Sequence, residues 1–154
     1  MRVAVFPGSF DPITIGHESI IRRSLPLFDK IIVAIGINST KENFYTLEKR
    51  KNWIEKTFSG EVKIEVQTYK GLTIDFCKSV NANYILRGLR TSADFEFERV
   101  IAQMNRAMNE NIETIFILSV PELSAIASTV VRDIIRNNGD AKKFVPAAIR
   151  NELK

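Results

Sequence analysis

The sequence predicts an α/β fold: a doubly wound sheet of five parallel strands, covered by helices on both faces, in a single domain over residues 1–154. Three observations predict it. Short apolar, β-branched segments alternate along the chain with segments of helical periodicity. Strand centres recur roughly every 20–30 residues, about one βα unit each, which makes neighbouring strands parallel. Ile31–Ile35 is an unbroken apolar run, the mark of a strand covered on both faces.

Each element has its own justification. Val3-Ala4-Val5-Phe6 is short, apolar and partly β-branched, and opens the sheet. His17–Phe28 reads as a helix with Ile20, Ile21 and Leu25 on one face and Pro26 disturbing its last turn. Ile31–Ile35 is the second strand. Thr46 has the chemistry of an N-cap, and Leu47, Ile54 and Phe58 follow at helical spacing. Within that helix Lys49-Arg50-Lys51 reads as a solvated face. Val62, Ile64 and Val66 alternate with polar residues, predicting a third strand with one wetter face. Leu72, Phe76 and Val80 mark a third, shorter helix, and Tyr84-Ile85-Leu86 a fourth strand. Thr91-Ser92-Ala93-Asp94 offers a cap to a helix bearing Phe97, Ile101, Met104 and Met108. After the strand Ile115–Leu118, Val130, Val131, Ile134 and Ile135 form a helix that stops at Asn138-Gly139. Pro146 suits the first turn of a short closing helix. There is no internal repeat and no linker.

Composition narrows the function. Hydrophobic residues are 45% and charged residues 26% of the chain, the balance of a soluble globule. The net charge of +4 is spread evenly, without a basic block, so nothing calls for nucleic acid. A mild cationic excess suits an anionic small molecule. Cys77 is the single cysteine, which excludes an intrachain disulfide and a multi-cysteine metal site and points to a reducing compartment. The longest apolar run is far short of the ~20 residues that span a bilayer, and no signal-peptide pattern opens the chain. The expectation is a cytoplasmic protein with neither nucleic acid nor membrane as partner.

In a doubly wound sheet, ligands bind beyond the carboxyl ends of the strands, where the strand order reverses. The loops to inspect are therefore 7–17, 38–46, 67–73, 87–91 and 119–128. The first reads Pro7-Gly8-Ser9-Phe10-Asp11-Pro12-Ile13-Thr14-Ile15-Gly16-His17. It is neither a P-loop nor a GxGxxG fingerprint, so the usual kinase and dehydrogenase readings lose their support. Gly8 lets the backbone turn sharply and a ligand approach closely. Ser9 offers a hydroxyl. Gly16 opens a helix whose free N–H groups favour phosphate. His17, the only histidine, sits on that first turn.

Thr14-x-Gly16-His17 after Gly8-Ser9-Phe10-Asp11-Pro12 resembles the [H/T]-x-G-H motif of the nucleotidyltransferase superfamily. Ile126-Ala127-Ser128-Thr129-Val130-Val131-Arg132 is similar to its I-S-S-T-x-x-R signature. Between them stand Arg87-Gly88-Leu89-Arg90, then Asp94-Phe95-Glu96-x-Glu98, and Asn105. In this order the three blocks resemble the bacterial phosphopantetheine adenylyltransferases over nearly the whole chain. The resemblance implies a Rossmann-like fold, a single nucleotidyltransferase domain and reversible transfer of the adenylyl group of ATP to 4′-phosphopantetheine. The products are dephospho-CoA and pyrophosphate.

The physical problem of that reaction is charge. A phosphate carrying about −1.5 to −2 must approach a polyanionic triphosphate. Its attacking oxygen is already ionised, so neither a general base nor a covalent nucleophile is needed, and Cys77 reads as packing. Catalysis then reduces to alignment and stabilisation of charge on the α-phosphate. By resemblance the catalytic residues are His17, the transition-state stabiliser, with Lys41 and Arg90. Ser9, Lys41, Thr73 and Arg87 bind phosphopantetheine. Ser9, Phe10, His17, Gly88, Leu89, Arg90, Glu98, Leu123, Ser124, Ala125, Ile126, Ala127, Ser128 and Thr129 bind ATP, with Glu98 toward the nucleoside. Asp94 and Glu98 share a helix face; Asp94 caps the helix or holds an arginine. Asp11 reads as a turn former first and a supporting partner second. No carboxylate cluster suggests a protein-bound metal, so Mg²⁺ should arrive with ATP. The resemblance further implies a homohexamer and inhibition by CoA.

The sequence departs from the family at Phe6, where Tyr is frequent, at Ala127, where Ser is frequent, and at Leu123, where an aromatic is common. These departures predict altered ATP affinity rather than lost activity. Two rival functions stay open at this level: a transferase of the same superfamily with another acceptor, and a nucleotide-binding module without catalysis.

Overall fold

A computed structural model describes residues 1–153. Five strands form one parallel sheet: β1 (Val3–Gly8), β2 (Lys30–Gly36), β3 (Ile64–Tyr69), β4 (Tyr84–Leu89) and β5 (Glu113–Leu118), in the order β3-β2-β1-β4-β5. Helices α1 (Ile15–Ser24), α2 (Leu47–Thr57), α3 (Thr73–Ser79), α4 (Ser92–Met108) and α5 (Ser128–Arg136) connect or follow the strands. This is the predicted doubly wound arrangement.

Alternation along β2 shows why its apolar run is continuous. Ile31, Val33 and Ile35 point into a cluster with Ile20, Ile21, Trp53, Ile54 and Val131. Ile32 and Ala34 point the other way, into a smaller cluster with Ile74, Cys77 and Ile85. Burial pushes the Cys77 thiol up to about 11, so it is an inert packing group, as its sequence context implied.

The strand order reverses between β1 and β4. There the ladder is short: Ala4 pairs with Tyr84 and Val5 with Ile85, whereas β1 and β2 pair along their whole length. Beyond Val5, the Pro7 carbonyl accepts its hydrogen bond from the Arg87 guanidinium (2.7 Å). A crevice opens at this point, and the functional loops surround it.

Several predicted elements are corrected. α1 begins at Ile15, because Thr14 is its N-cap, and it ends at Ser24, where Pro26 turns the chain into a 3₁₀ turn over Leu25–Leu27. Val62 lies outside β3 and is 95% exposed. It sits in a turn closed by the Ile64 N–H donating to the Glu61 carbonyl (3.3 Å). Leu72 is exposed ahead of α3, whose buried residues are Ile74 and Cys77. Arg87 lies at the end of the fourth strand as expected, and β4 runs on through Gly88 and Leu89, so the loop begins at Arg90. The short closing helix is a 3₁₀ segment over Ala147–Glu152, and Pro146 caps it rather than sitting in its first turn. Gly8 has no positive φ; the left-handed residue of the first loop is Phe10 (φ 47), and a Cβ on Gly8 would stand 3.0 Å from its ring.

Two further corrections concern helix faces. Arg50 is not solvated: it is 4% exposed, because its i+3 and i+4 neighbours Trp53 and Ile54 bring it onto the buried side of α2. The apolar stripe of α4 is not buried in the chain. Phe97 is 68% and Met104 60% exposed, with Ile101 and Met108 beside them.

Candidate active site

Two cavities meet at the β1–β4 crevice. One, of about 490 Å³, is lined by Phe10, Thr14, His17, Gly88, Arg90, Leu123 and the N-terminal end of α5. The other, of about 740 Å³, is lined by Asn38, Lys41, Tyr69, Thr73 and Asn105. Pro7, Gly8, Ser9, Arg87, Phe97 and Glu98 line both, so the cavities share a wall.

His17 occupies the first turn of α1, and local chemistry fixes it. The Thr14 hydroxyl accepts from the His17 N–H (3.3 Å), and the Thr14 N–H donates to His17 Nδ1 (3.0 Å). An Nδ1 that accepts carries no proton, so the neutral ring carries its proton on Nε2. Phe10 and Phe6 hold the ring edge-on, with centroids 5.0 and 6.4 Å away. Burial, then Arg87 and Arg90, lower the His17 pKa from 6.5 to about 4. At neutral pH the group is therefore an uncharged donor held in one orientation.

Arg87 ends β4 and is anchored twice. Its Nε and Nη2 donate to the two carboxylate oxygens of Glu98 (3.0 and 2.5 Å), while Nη1 holds Pro7. Glu98 is 8% exposed, so this is a largely buried bidentate pair. Glu98, expected toward the nucleoside, is instead paired with Arg87 and orients that arginine within the shared wall. Arg90 Nε lies 3.3 Å from Asp94, whose carboxylate also accepts from the Arg90 N–H (3.2 Å). Asp94 therefore holds an arginine, while Thr91 caps α4. Gly88 packs closely against α1: a Cβ there would stand 3.0 Å from the Ile20 side chain, which would have to shift to admit it.

At the far side, α5 starts at Ser128 without a side-chain cap. The Ser128 hydroxyl donates to the Pro12 carbonyl (2.7 Å), and Thr129 accepts from Arg132 (3.3 Å). Ile126 and Ala127 join them on the cavity wall. Leu89, Ser124 and Ala125 lie off both walls, and Ser124 is turned to the Pro121 carbonyl (2.9 Å). Lys41 lies on the exposed loop after β2, and its ammonium has no hydrogen-bond or ion-pair partner among the described residues. Thr73 shares a hydrogen bond with the Tyr69 hydroxyl (2.8 Å).

The loops predicted from the strand ends line the two cavities, together with supports that the sequence did not single out. Tyr69, Asn38 and Asn43 line the larger cavity unannounced. The buried face of Arg50 was readable from its spacing to Trp53 and Ile54. The partners of Asp11 were not readable, because they lie 33 and 34 positions away. Among the described residues, no group of three His, Cys, Asp or Glu side chains is placed to hold a metal, and no helix is long and apolar enough to cross a membrane.

Known proteins resemble this chain over nearly its whole length. A family model described as cytidylyltransferase-like matches residues 5–134. The phosphopantetheine adenylyltransferase of Flavobacterium psychrophilum is 55% identical over 97% of this chain and 99% of its own length. That of Bacteroides fragilis is 45% identical over 95% of this chain and 97% of its own. A crystal structure from Vibrio parahaemolyticus, provisionally named a nicotinate-nucleotide adenylyltransferase, superposes with a TM-score of 0.72 at 18% identity. It covers 96% of each chain and speaks for the fold alone. With the sheet, the first-loop motif and full-length relatives in agreement, the chain belongs to the phosphopantetheine adenylyltransferase family of the cytidylyltransferase-like nucleotidyltransferases.

Proposed function

We infer that this chain transfers the adenylyl group of ATP to 4′-phosphopantetheine, yielding dephospho-CoA and pyrophosphate, a step of coenzyme A biosynthesis. The observation that carries the reading is a neutral, oriented Nε2–H on His17 in one cavity, joined through Arg87 and Glu98 to a second cavity bearing Lys41.

In this reading ATP occupies the His17 cavity. Arg90 and the start of α5 face its phosphates, and Leu123 its nucleoside end. Phosphopantetheine occupies the larger cavity, with its phosphate toward Lys41 and Arg87 and its arm along Thr73 and Tyr69. An acceptor phosphate oxygen attacks the α-phosphorus in line. The new P–O bond forms as the α–β anhydride bond breaks, and pyrophosphate leaves with the electron pair. His17 Nε2–H donates to an α-phosphate oxygen as charge builds there. Because the donor is fixed beforehand, little reorganisation is needed during the reaction. The run backwards uses the same contacts, so the transfer is reversible.

Mg²⁺ fits as a companion of ATP, supplying charge neutralisation while held by phosphate oxygens and water. The nearby carboxylates already have partners: Glu98 with Arg87, Asp94 with Arg90, and Asp11 with two backbone N–H groups. The reading places the enzyme in the cytoplasm, as a homohexamer, with CoA as a competing ligand. The exposed apolar stripe of α4 supports self-association, since an apolar face of that kind is normally covered.

The deciding experiment incubates the purified protein with ATP, Mg²⁺ and 4′-phosphopantetheine and measures dephospho-CoA and pyrophosphate. Both should form. Pyrophosphate only with a different acceptor, such as nicotinate mononucleotide or glycerol phosphate, overturns the substrate assignment. ATP binding without turnover on any acceptor leaves a binding module.

A further inference from the structure

Asp11 is 2% exposed, yet its carboxylate faces neither cavity. Its two oxygens accept from consecutive backbone N–H groups, Phe44 (2.8 Å) and Tyr45 (2.8 Å), at the end of the loop that carries Lys41. Arg50 closes the same junction from α2. Its Nε donates to the Tyr45 carbonyl (3.1 Å) and its Nη1 to the Ser9 carbonyl (2.8 Å). From the opposite side, Arg132 of α5 donates to the Asp11 carbonyl (2.8 Å). Residues 9–11 are thus a hub. The Lys41 loop is fastened to it on one side and α5 on the other, and the same loop leads into α1, whose first turn carries His17.

We propose that Asp11 is a positioning residue, which sets where Lys41 stands relative to His17 and so fixes the approach of the acceptor to the α-phosphate. This rests on the function inferred above. The physical case is directional. A carboxylate accepting two charge-assisted backbone bonds defines both the height and the tilt of the segment it holds. An Asn side chain has one oxygen for two donors, and its amide meets the second N–H donor to donor. Asp11→Asn therefore keeps the size of the group while loosening one of the two fastenings. The loop's outer end, at Lys41, moves most.

The test is a double-mutant cycle of Asp11→Asn and Lys41→Ala, read as kcat/KM for phosphopantetheine at saturating ATP and Mg²⁺. Asp11→Asn should lower this value about 10-fold in the parent but less than about twofold once Lys41 is gone, because coupled sites are not additive. The ATP dissociation constant should stay within about twofold of the parent, a scale set by independent sites. Equal losses in both backgrounds overturn the proposal, as does parent-like kcat/KM in folded Asp11→Asn protein whose melting temperature alone has fallen. If Asp11→Asn does not fold, Arg50→Lys decides, since it keeps the charge and loses the forked geometry that grips Ser9 and Tyr45. The parent is the control. A parent that makes no dephospho-CoA overturns the underlying function, whereas an active parent without coupling overturns the role of Asp11 alone.

Discussion

On the His17 side of the crevice, the polar groups are held by protein partners before any ligand arrives: His17 by Thr14, Arg90 by Asp94, Ser128 by Pro12 and Thr129 by Arg132. On the Lys41 side, the cation stands on an exposed loop with no partner among the described residues. The two sides meet at Arg87, which Glu98 grips in a forked pair. Groups already in place cost little to use in a transition state. A lysine that must be ordered on binding gives up as much as about 2 kcal/mol of rotamer freedom. One side therefore suits work on the reacting phosphorus, and the other suits capture of the second reactant.

Breaking the ordered side should have the largest effect. His17→Ala should lower kcat by roughly 10²-fold or more, the scale of losing one transition-state donor, while calorimetry still shows ATP binding. Unchanged turnover would remove the distinction between the sides. The same group predicts a pH signature. Burial and two arginines disfavour the imidazolium, so the ring stays neutral as pH falls through 6.5 and gains its proton only near pH 4. As the only histidine, it gives a single imidazole signal in an NMR titration. A midpoint near 6.5 would mean that the ring is neither buried nor flanked as described.

Breaking the open side should tell in KM. Lys41→Ala should raise KM for phosphopantetheine about 10-fold or more, the worth of one hydrogen bond to a charged group, with a smaller change in kcat. A fall in kcat at constant KM would erase the contrast. At the shared wall, Glu98→Gln should cost about 1–3 kcal/mol of folding stability by chemical denaturation, less than a fully buried pair because Arg87 is partly exposed. Smallest is Leu123→Trp, which restores an aromatic group at the nucleoside end and should lower the KM for ATP a few-fold, by about 0.5–1.5 kcal/mol of stacking. No change would show that adenine does not lie against residue 123.

The contrast also explains what could be read from the sequence. The ordered side is built largely from local chemistry. Thr14 and His17 are three residues apart around the first turn of α1, and Arg90 and Asp94 are four apart, so each pair meets within a few residues of chain. The parallel, doubly wound sheet followed from alternation, because parallel connections leave few choices. The hub was less legible. Asp11 reads as an ordinary turn residue until the loop after β2 folds back onto it, and between two charged neighbours Arg50 shows its buried face only through its spacing to Trp53 and Ile54. The stripe on α4 was legible as apolar but not as exposed, because periodicity reports which residues share a face and not what covers it. Val62 continued an alternating pattern, yet a turn at Glu61 took it out of the strand.

One consequence of the abbreviated β1–β4 ladder reaches beyond this reaction. Strands zipped to their tips would floor a binding site with peptide groups already satisfied by one another, the same for every sequence. Stopping after Val5 and Ile85 hands that floor to interchangeable parts, the fork of Arg87 and its acidic partner among them. The architecture can thus keep its backbone and exchange its clientele by changing a few residues at a single seam.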